Sequence, residues 1–207
     1  MNKESQSVVK KVVIVGGGTA GWMAAAALSK LFKSAEMKIQ LVESTQIGTI
    51  GVGEATIPQI NLFNRLLELD ENEFVKSTSA TFKLGIEFVN WTRMGDSYIH
   101  PFGSYGIDMD GVAFHHFWLN QHQAGYPHEL SNFCLQSLAA SQGKFQRPIK
   151  EATNSPLGHI AYAFQFDAGK YAHFLHKFAI ARGVERVESL ITNTRLNLSL
   201  INISEPT

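Results

Sequence analysis

The residues of this chain best suited to chemistry by type and spacing are glycines. The stretch "VVIVGGGTAG" sets Gly16, Gly18 and Gly21 in G-x-G-x-x-G spacing. Each has a separate physical task. Gly16 permits a tight turn, Gly18 lets the backbone approach a pyrophosphate, and Gly21 lets helix and strand pack closely. Gly17, Thr19 and Ala20 complete the turn, and the helix start offers unpaired N–H groups to phosphate oxygens. Glu43 follows 22 residues after Gly21, close to the spacing at which an acid meets a ribose hydroxyl. An acid there favours an unphosphorylated ribose, and the pattern fits FAD and NAD equally. The other candidate is Lys83, inside "ATFKLGIEFVNW". Phe82, Leu84, Ile86 and Phe88 alternate as one face of a half-buried strand, with Lys83, Gly85 and Glu87 opposite. On the strand alone, Lys83 solvates a wet face.

These residues need elements to hold them. Lys11 to Val15 is a β-branched run bounded by glycine and predicts a buried strand. Ala20 to Phe32 predicts a helix, and Lys38 to Glu43 a second strand. Thr45 to Thr56 is glycine-rich and reads as a loop, with the candidate cofactor residues Ser44 just before it, Ile47 near its start and Glu54 and Ala55 near its end. Such a loop beyond a nucleotide site points to function. Pro58 opens a helix bearing Ile60, Phe63, Leu66 and Leu67. The Lys83 strand comes next, then "DSYIHPFG" as a further strand ending in a loop. Helical patterns cover Ala113–His122 and Glu129–Ser141. Ile160 to Phe166 is apolar, and Asp167 is placed to cap a helix ending before Gly183. The class is α/β, with a first βαβ-like unit followed by inserted α+β structure.

Composition narrows the function. The chain has 207 residues, 44% hydrophobic and 17% charged, with 18 basic and 18 acidic side chains. That balance gives no electrostatic case for nucleic acid or an anionic membrane. The early apolar run is too short and glycine-rich to span a bilayer. Cys134 is the single cysteine, which suits a reducing, cytoplasmic setting. His115, His116 and His122 lack the carboxylate or thiolate partners of a metal site, so no metal is expected. Gly95-Asp96 reads as a turn between strands, and His173 and His176 as half-exposed helix residues. The aromatic run Phe114 to Trp118 reads as helix packing or lobe lining.

The blocks "VVIVGGGTAGWMAAAAL", "GVGEATIP", "ATFKLGIEFVNW" and "IHPFG", in this order, resemble flavin-dependent halogenases of the tryptophan halogenase type, over about Lys11 to Asn197. "AYAFQFDAGKYAHFL" is similar to a further family segment. The resemblance implies an incomplete Rossmann-like, GR2-type FAD-binding fold with inserted substrate-lobe elements. It also implies that reduced FAD, supplied by a separate flavin reductase, works with oxygen and halide to give hypohalous acid. That species reaches an electron-rich aromatic at a second site. Lys83 matches the family's catalytic lysine, which implies that its strand face looks into a tunnel. Glu54 and Ala55 match the strap beside the flavin. His100 and Phe102 match an aromatic wall that stacks an indole, with Pro101 between them. The resemblance allows a homodimer of the full-length enzyme. Other FAD-dependent monooxygenases or oxidases, and an inactive nucleotide-binding fragment, are the alternatives.

Family members are more than twice this length, and no W-x-W-x-I-P signature occurs in the chain. Residues 1–197 are therefore expected to be the N-terminal portion of one domain. The final "LSLINISEPT" resembles a translated sequencing adapter, so residues 198–207 are expected to be a non-native tail.

Overall fold

The computed structural model describes residues 9–32, 37–47 and 51–193. The proposed foreign tail, 198–207, lies outside them. The chain falls into two compact units, one drawn from Met1–Val52 and Ala168–Thr207 and the other from Gly53–Asp167. The second unit is thus inserted in the sequence of the first.

The first unit is α/β, as the glycine motif implies. Strand β1 (Lys11–Val15), helix α1 (Thr19–Leu31) and strand β2 (Lys38–Glu43) form a βαβ unit. The later helix α6 (Ala168–Ile180) and strand β8 (Glu185–Glu188) complete it. The three strands are parallel in the order β1-β2-β8. This is one half of a Rossmann-like sheet. Helix α1 packs on α6 through small and flat side chains: Ala25 and Ala26 are fully buried, and the Trp22 ring lies 4.5 Å from His176. Leu41, Tyr171, Leu175 and Ala179 fill the same core. Gly183, with φ +89°, ends the segment after α6, and its N–H donates to Ile180 O. The buried-strand expectation for β1 fails on one face. Lys11, Val13 and Val15 are exposed, because no layer among the described residues covers the face they share. β8 had no clear signal in the sequence, being four residues, three of them charged, around a single valine.

The second unit holds strands β3 (Gly53–Ala55), β4 (Thr81–Lys83), β5 (Gly85–Val89), β6 (Ser97–Pro101) and β7 (Ala163–Asp167). Its helices are α2 (Gln59–Leu66), α3 (Glu71–Thr78), α4 (Phe114–Gln123) and α5 (Leu135–Ser141). β7 is central in an antiparallel sheet ordered β3-β7-β4, and β5 and β6 form a separate hairpin. Phe74, Phe82, Phe164 and Phe166 cluster edge to face or tilted over the three-stranded sheet.

Three expectations change here. The end of the glycine loop is a strand, because Gly53, Glu54 and Ala55 pair with Asp167, Phe166 and Gln165. The single strand expected from Ala80 to Trp91 is two. It breaks at Leu84, where β4 stays on β7 and β5 turns to β6. The Glu129–Ser141 helix is a 3-10 turn at Leu130–Phe133 and then α5, with Cys134 extended between them. Helix α3 had gone unassigned, yet Asp70 accepts a hydrogen bond from the Glu73 N–H at 2.8 Å, a capping signal legible in the sequence. Gly95 does sit in the β5–β6 turn, with φ +92°. Helix α4 buries none of its residues, so the aromatic run is not core packing. Among the described residues, no helix is long and apolar enough to cross a membrane, and no three His, Cys, Asp or Glu side chains are grouped to hold a metal ion.

Candidate functional site

The candidate cofactor cradle lies in the first unit, where β1 turns into α1. Gly16 has φ +107° and its N–H donates to Val42 O at 2.9 Å, which ties the turn to β2. Gly21 is a steric necessity. A Cβ there would lie 2.0 Å from the Gly16 carbonyl oxygen. Gly17 faces Glu43, and a Cβ on it would overlap the carboxylate, 1.3 Å from Oε2. Gly18 is different: a Cβ there meets nothing within 4 Å. Its open side faces no protein atom, which is the room a pyrophosphate needs. Gly18 is also the N-cap of α1, with no side chain capping the helix start. The first N–H groups of α1 are thereby left for an anion. Ala20 is exposed on this first turn, and the Thr19 hydroxyl donates to Ala168 O at 3.3 Å. The residues present fit a dinucleotide.

Glu43 ends β2 with its carboxylate against Gly17, but it is not free. Arg186 on β8 donates from Nε to Glu43 Oε1 at 2.5 Å and from a terminal nitrogen to Glu188 at 2.6 Å. Glu188 in turn accepts from the Thr45 N–H at 2.7 Å and its hydroxyl at 3.0 Å. Those Thr45 bonds, ahead of Arg186, hold the Glu188 carboxyl below its ordinary pKa, and the bond to Glu43 holds the Arg186 guanidinium above its own. The network fixes the carboxylate and the chain leaving β2. Ser44 accepts from the Gln46 N–H at 3.2 Å and the Ile47 N–H at 3.1 Å, closing a turn that leaves Ile47 exposed. Arg186, Glu188 and Thr45 were invisible in the sequence, since a strand too short to recognise supplies two of them.

The candidate catalytic lysine lies in the second unit. Lys83 ends β4 and pairs with Ala163 on β7. It is buried, at 9% exposure, so the wet-face reading of its strand is wrong. Its Nζ donates to Thr56 O at 2.9 Å and lies 5.4 Å from the centre of the Phe102 ring. Burial pushes its pKa below the ordinary lysine value. Gly85 lets the hairpin close, since a Cβ there would sit 2.6 Å from His100 O.

The other site residues are placed as follows. Glu54 and Ala55 lie on β3, opposite β7, with Glu54 half-buried and Ala55 exposed. Phe102 follows β6, its N–H donating to Leu84 O at 2.8 Å, and is brought to Lys83. His100 is exposed on β6 and pairs with Ile86. Pro101 between them is buried. An open cleft of about 390 Å³ is lined by Lys83, Gly85, Glu87 and Phe145 among others. Neither Thr56 nor Phe102 lines it.

The chain is similar to known proteins in sequence and in fold. The tryptophan halogenase family model matches residues 11–200. Tryptophan 6-halogenase SttH of Streptomyces toxytricini is 35% identical, over 90% of this chain and 39% of its own length. Tryptophan 7-halogenase RebH of Lentzea aerocolonigenes is 32% identical, over 90% of this chain and 37% of its own. Among solved structures, the flavin-dependent halogenase Xcc4156 from Xanthomonas campestris superposes with a TM-score of 0.84 at 47% identity, covering 92% of this chain and 37% of that one. BrvH, a flavin-dependent halogenase from Brevundimonas sp. BAL3, gives 0.84 at 43%, over 92% of this chain and 38% of that one. The chain spans less than two-fifths of the length of these relatives. It belongs to the tryptophan halogenase family.

Proposed function

We propose that this chain is the dinucleotide-binding and lysine-bearing part of an FAD-dependent halogenase that acts on tryptophan, indole or a similar electron-rich aromatic. The observation that carries the reading is Lys83: a buried amine held on a main-chain carbonyl, in a chain of this family. Reduced FAD, when bound, would activate molecular oxygen, and that oxygen would be the two-electron oxidant that converts chloride or bromide to hypohalous acid.

The chain's own residues do the rest. The open side of Gly18 and the uncapped start of α1 receive the pyrophosphate, and Gly16, Gly17, Thr19, Ala20 and Gly21 shape that turn. Glu43, oriented by Arg186, accepts from a ribose hydroxyl with the oxygen beside Gly17. Ser44 and Ile47 border the nucleotide. Glu54 and Ala55 form the strap segment beside the isoalloxazine.

Lys83 serves the halogen in one of two ways. As an ammonium it donates a hydrogen bond to the oxygen of hypohalous acid and makes the halogen more electrophilic. As a free amine it takes the halogen, forming a haloamine and releasing water. A lowered pKa helps the second route, and the Thr56 carbonyl and the Phe102 face help the first. Phe102 and His100 form the wall against which the aromatic stacks, so that one ring carbon faces the amine. A separate flavin reductase supplies reduced FAD in the cytoplasm, and the full-length enzyme assembles as a homodimer.

The test is turnover by the intact enzyme carrying this chain, with FAD, a flavin reductase, halide, and tryptophan or indole. Mass spectrometry should find the halogenated ring. Oxygenated aromatic without halogen would overturn the reading in favour of a monooxygenase.

A further inference from the structure

We propose that Thr56 is the positioning residue for Lys83: its hydroxyl locks the strap onto β7 and so fixes the carbonyl that holds the amine. The proposal rests on the reading of Lys83 as the halogen-transfer residue.

The geometry is a short chain of hydrogen bonds within one unit. The Thr56 N–H donates to Phe164 O at 2.9 Å. Its Oγ1 donates to the same oxygen at 2.8 Å and accepts from the Phe164 N–H at 3.1 Å. Strand β3 ends at Ala55, and just beyond it the hydroxyl reinforces the one remaining backbone bond and gives the Phe164 N–H its acceptor. Phe164 is a fixed anchor, fully buried, with its ring 4.9 Å from that of Phe74. One turn later Asn61 Nδ2 donates to Tyr162 O at 2.6 Å, a second tie between the strap and the approach to β7. The carbonyl of Thr56 then accepts from Lys83 Nζ at 2.9 Å.

The lysine depends on the same strand at its other end. Phe82 and Lys83 pair with Phe164 and Ala163 on the β4 side of β7. Thr56 meets Phe164 on the β3 side. Lys83 therefore reaches across β7, in the direction of a strand two spacings away, about 10 Å. A lysine stem has many rotamers, and ordering it is costly in entropy. One acceptor of fixed position selects among them. A hydroxyl that both donates and accepts is needed to hold that acceptor, which serine provides and valine does not.

Thr56→Val, Thr56→Ser and Lys83→Ala test this in the intact protein, after far-UV circular dichroism shows wild-type structure. The first readout is the rate of reductive methylation of Lys83 by formaldehyde and cyanoborohydride, followed by peptide mass spectrometry with the exposed Lys76 as internal reference. Thr56→Val should speed labelling of Lys83 about tenfold, as loss of one net hydrogen bond implies, and Thr56→Ser should restore the slow rate. The second readout is halogenation, where Thr56→Val should lower kcat about tenfold with KM for the aromatic little changed, and Thr56→Ser should recover most of it. Wild-type labelling and wild-type kcat in Thr56→Val, with Lys83→Ala inactive, would overturn the role of Thr56. Full halogenation by Lys83→Ala would instead remove Lys83 from the chemistry, and the labelling rates would still decide whether Thr56 holds the amine. If Thr56→Val does not fold, Thr56→Ala removes the same hydroxyl without added bulk.

Discussion

At the scale of single residues, Gly21 is a glycine that the fold needs and Gly18 one that a ligand needs. Gly21→Ala drives a Cβ into the Gly16 carbonyl oxygen at 2.0 Å. It should destabilise the protein by about 2–3 kcal/mol and abolish FAD binding with it. Gly18→Ala meets nothing within 4 Å. It should cost no more than about 1 kcal/mol, the difference between glycine and alanine at an N-cap, while weakening FAD binding at least about tenfold. Urea unfolding and flavin fluorescence titration of the two variants check this, and equal effects of both on stability would contradict it. Lys83 gives a prediction in pH. Its folded pKa lies below the unfolded 10.5, so between those values the unfolded state binds more protons and stability rises with pH. The stability of the wild type relative to Lys83→Met should therefore rise as pH climbs toward 10.5. Melting temperatures across that range decide it, and a wild type that loses stability relative to Lys83→Met as pH rises would be the wrong sign. The tasks of Gly16 and Gly21 were legible in the sequence because sterics dictate them. The burial of Lys83 was not, because it depends on Thr56 and on β7, which approach from 27 and 80 residues away.

At the scale of elements, the β5–β6 hairpin depends on Gly85. A side chain there would meet backbone, at 2.6 Å from His100 O and 2.9 Å from Pro101 Cα. Gly85→Ala should cost about 1–3 kcal/mol in urea unfolding, and because Leu84 O holds the Phe102 N–H it should also move Phe102 off the lysine. Unchanged stability would mean that the hairpin closes otherwise. The sequence marked β1, α1, β2 and α4 well, since each carries its own periodicity and boundary. It misjudged the stretch from Ala80 to Trp91, because alternation continues through Leu84 and cannot register that the strand changes partners there. It missed β3 and β8 because three or four residues carry no period, and their pairing is decided by β7 and β2. The Glu43 network went unread for the same reason: Arg186 reaches it only once β8 is in place.

At the scale of the whole molecule, the described residues leave one face of β1 in the first unit open. Val13 and Val15 on β1 are 47% and 56% exposed, and parallel strands of this kind are covered on both faces in stable proteins. The 207-residue chain expressed alone should therefore associate and be inactive. Val13→Thr with Val15→Thr should increase the soluble fraction seen by sedimentation, whereas a wild-type chain that sediments as a stable monomer and halogenates indole would refute this. The most direct test of the central claim is Lys83→Ala in the intact enzyme carrying this chain, with halogenated product and FAD affinity measured on the same preparation. The account predicts loss of essentially all halogenated product with FAD affinity unchanged, because the lysine and the cradle belong to separate units. Halogenation at the wild-type rate by Lys83→Ala would contradict it.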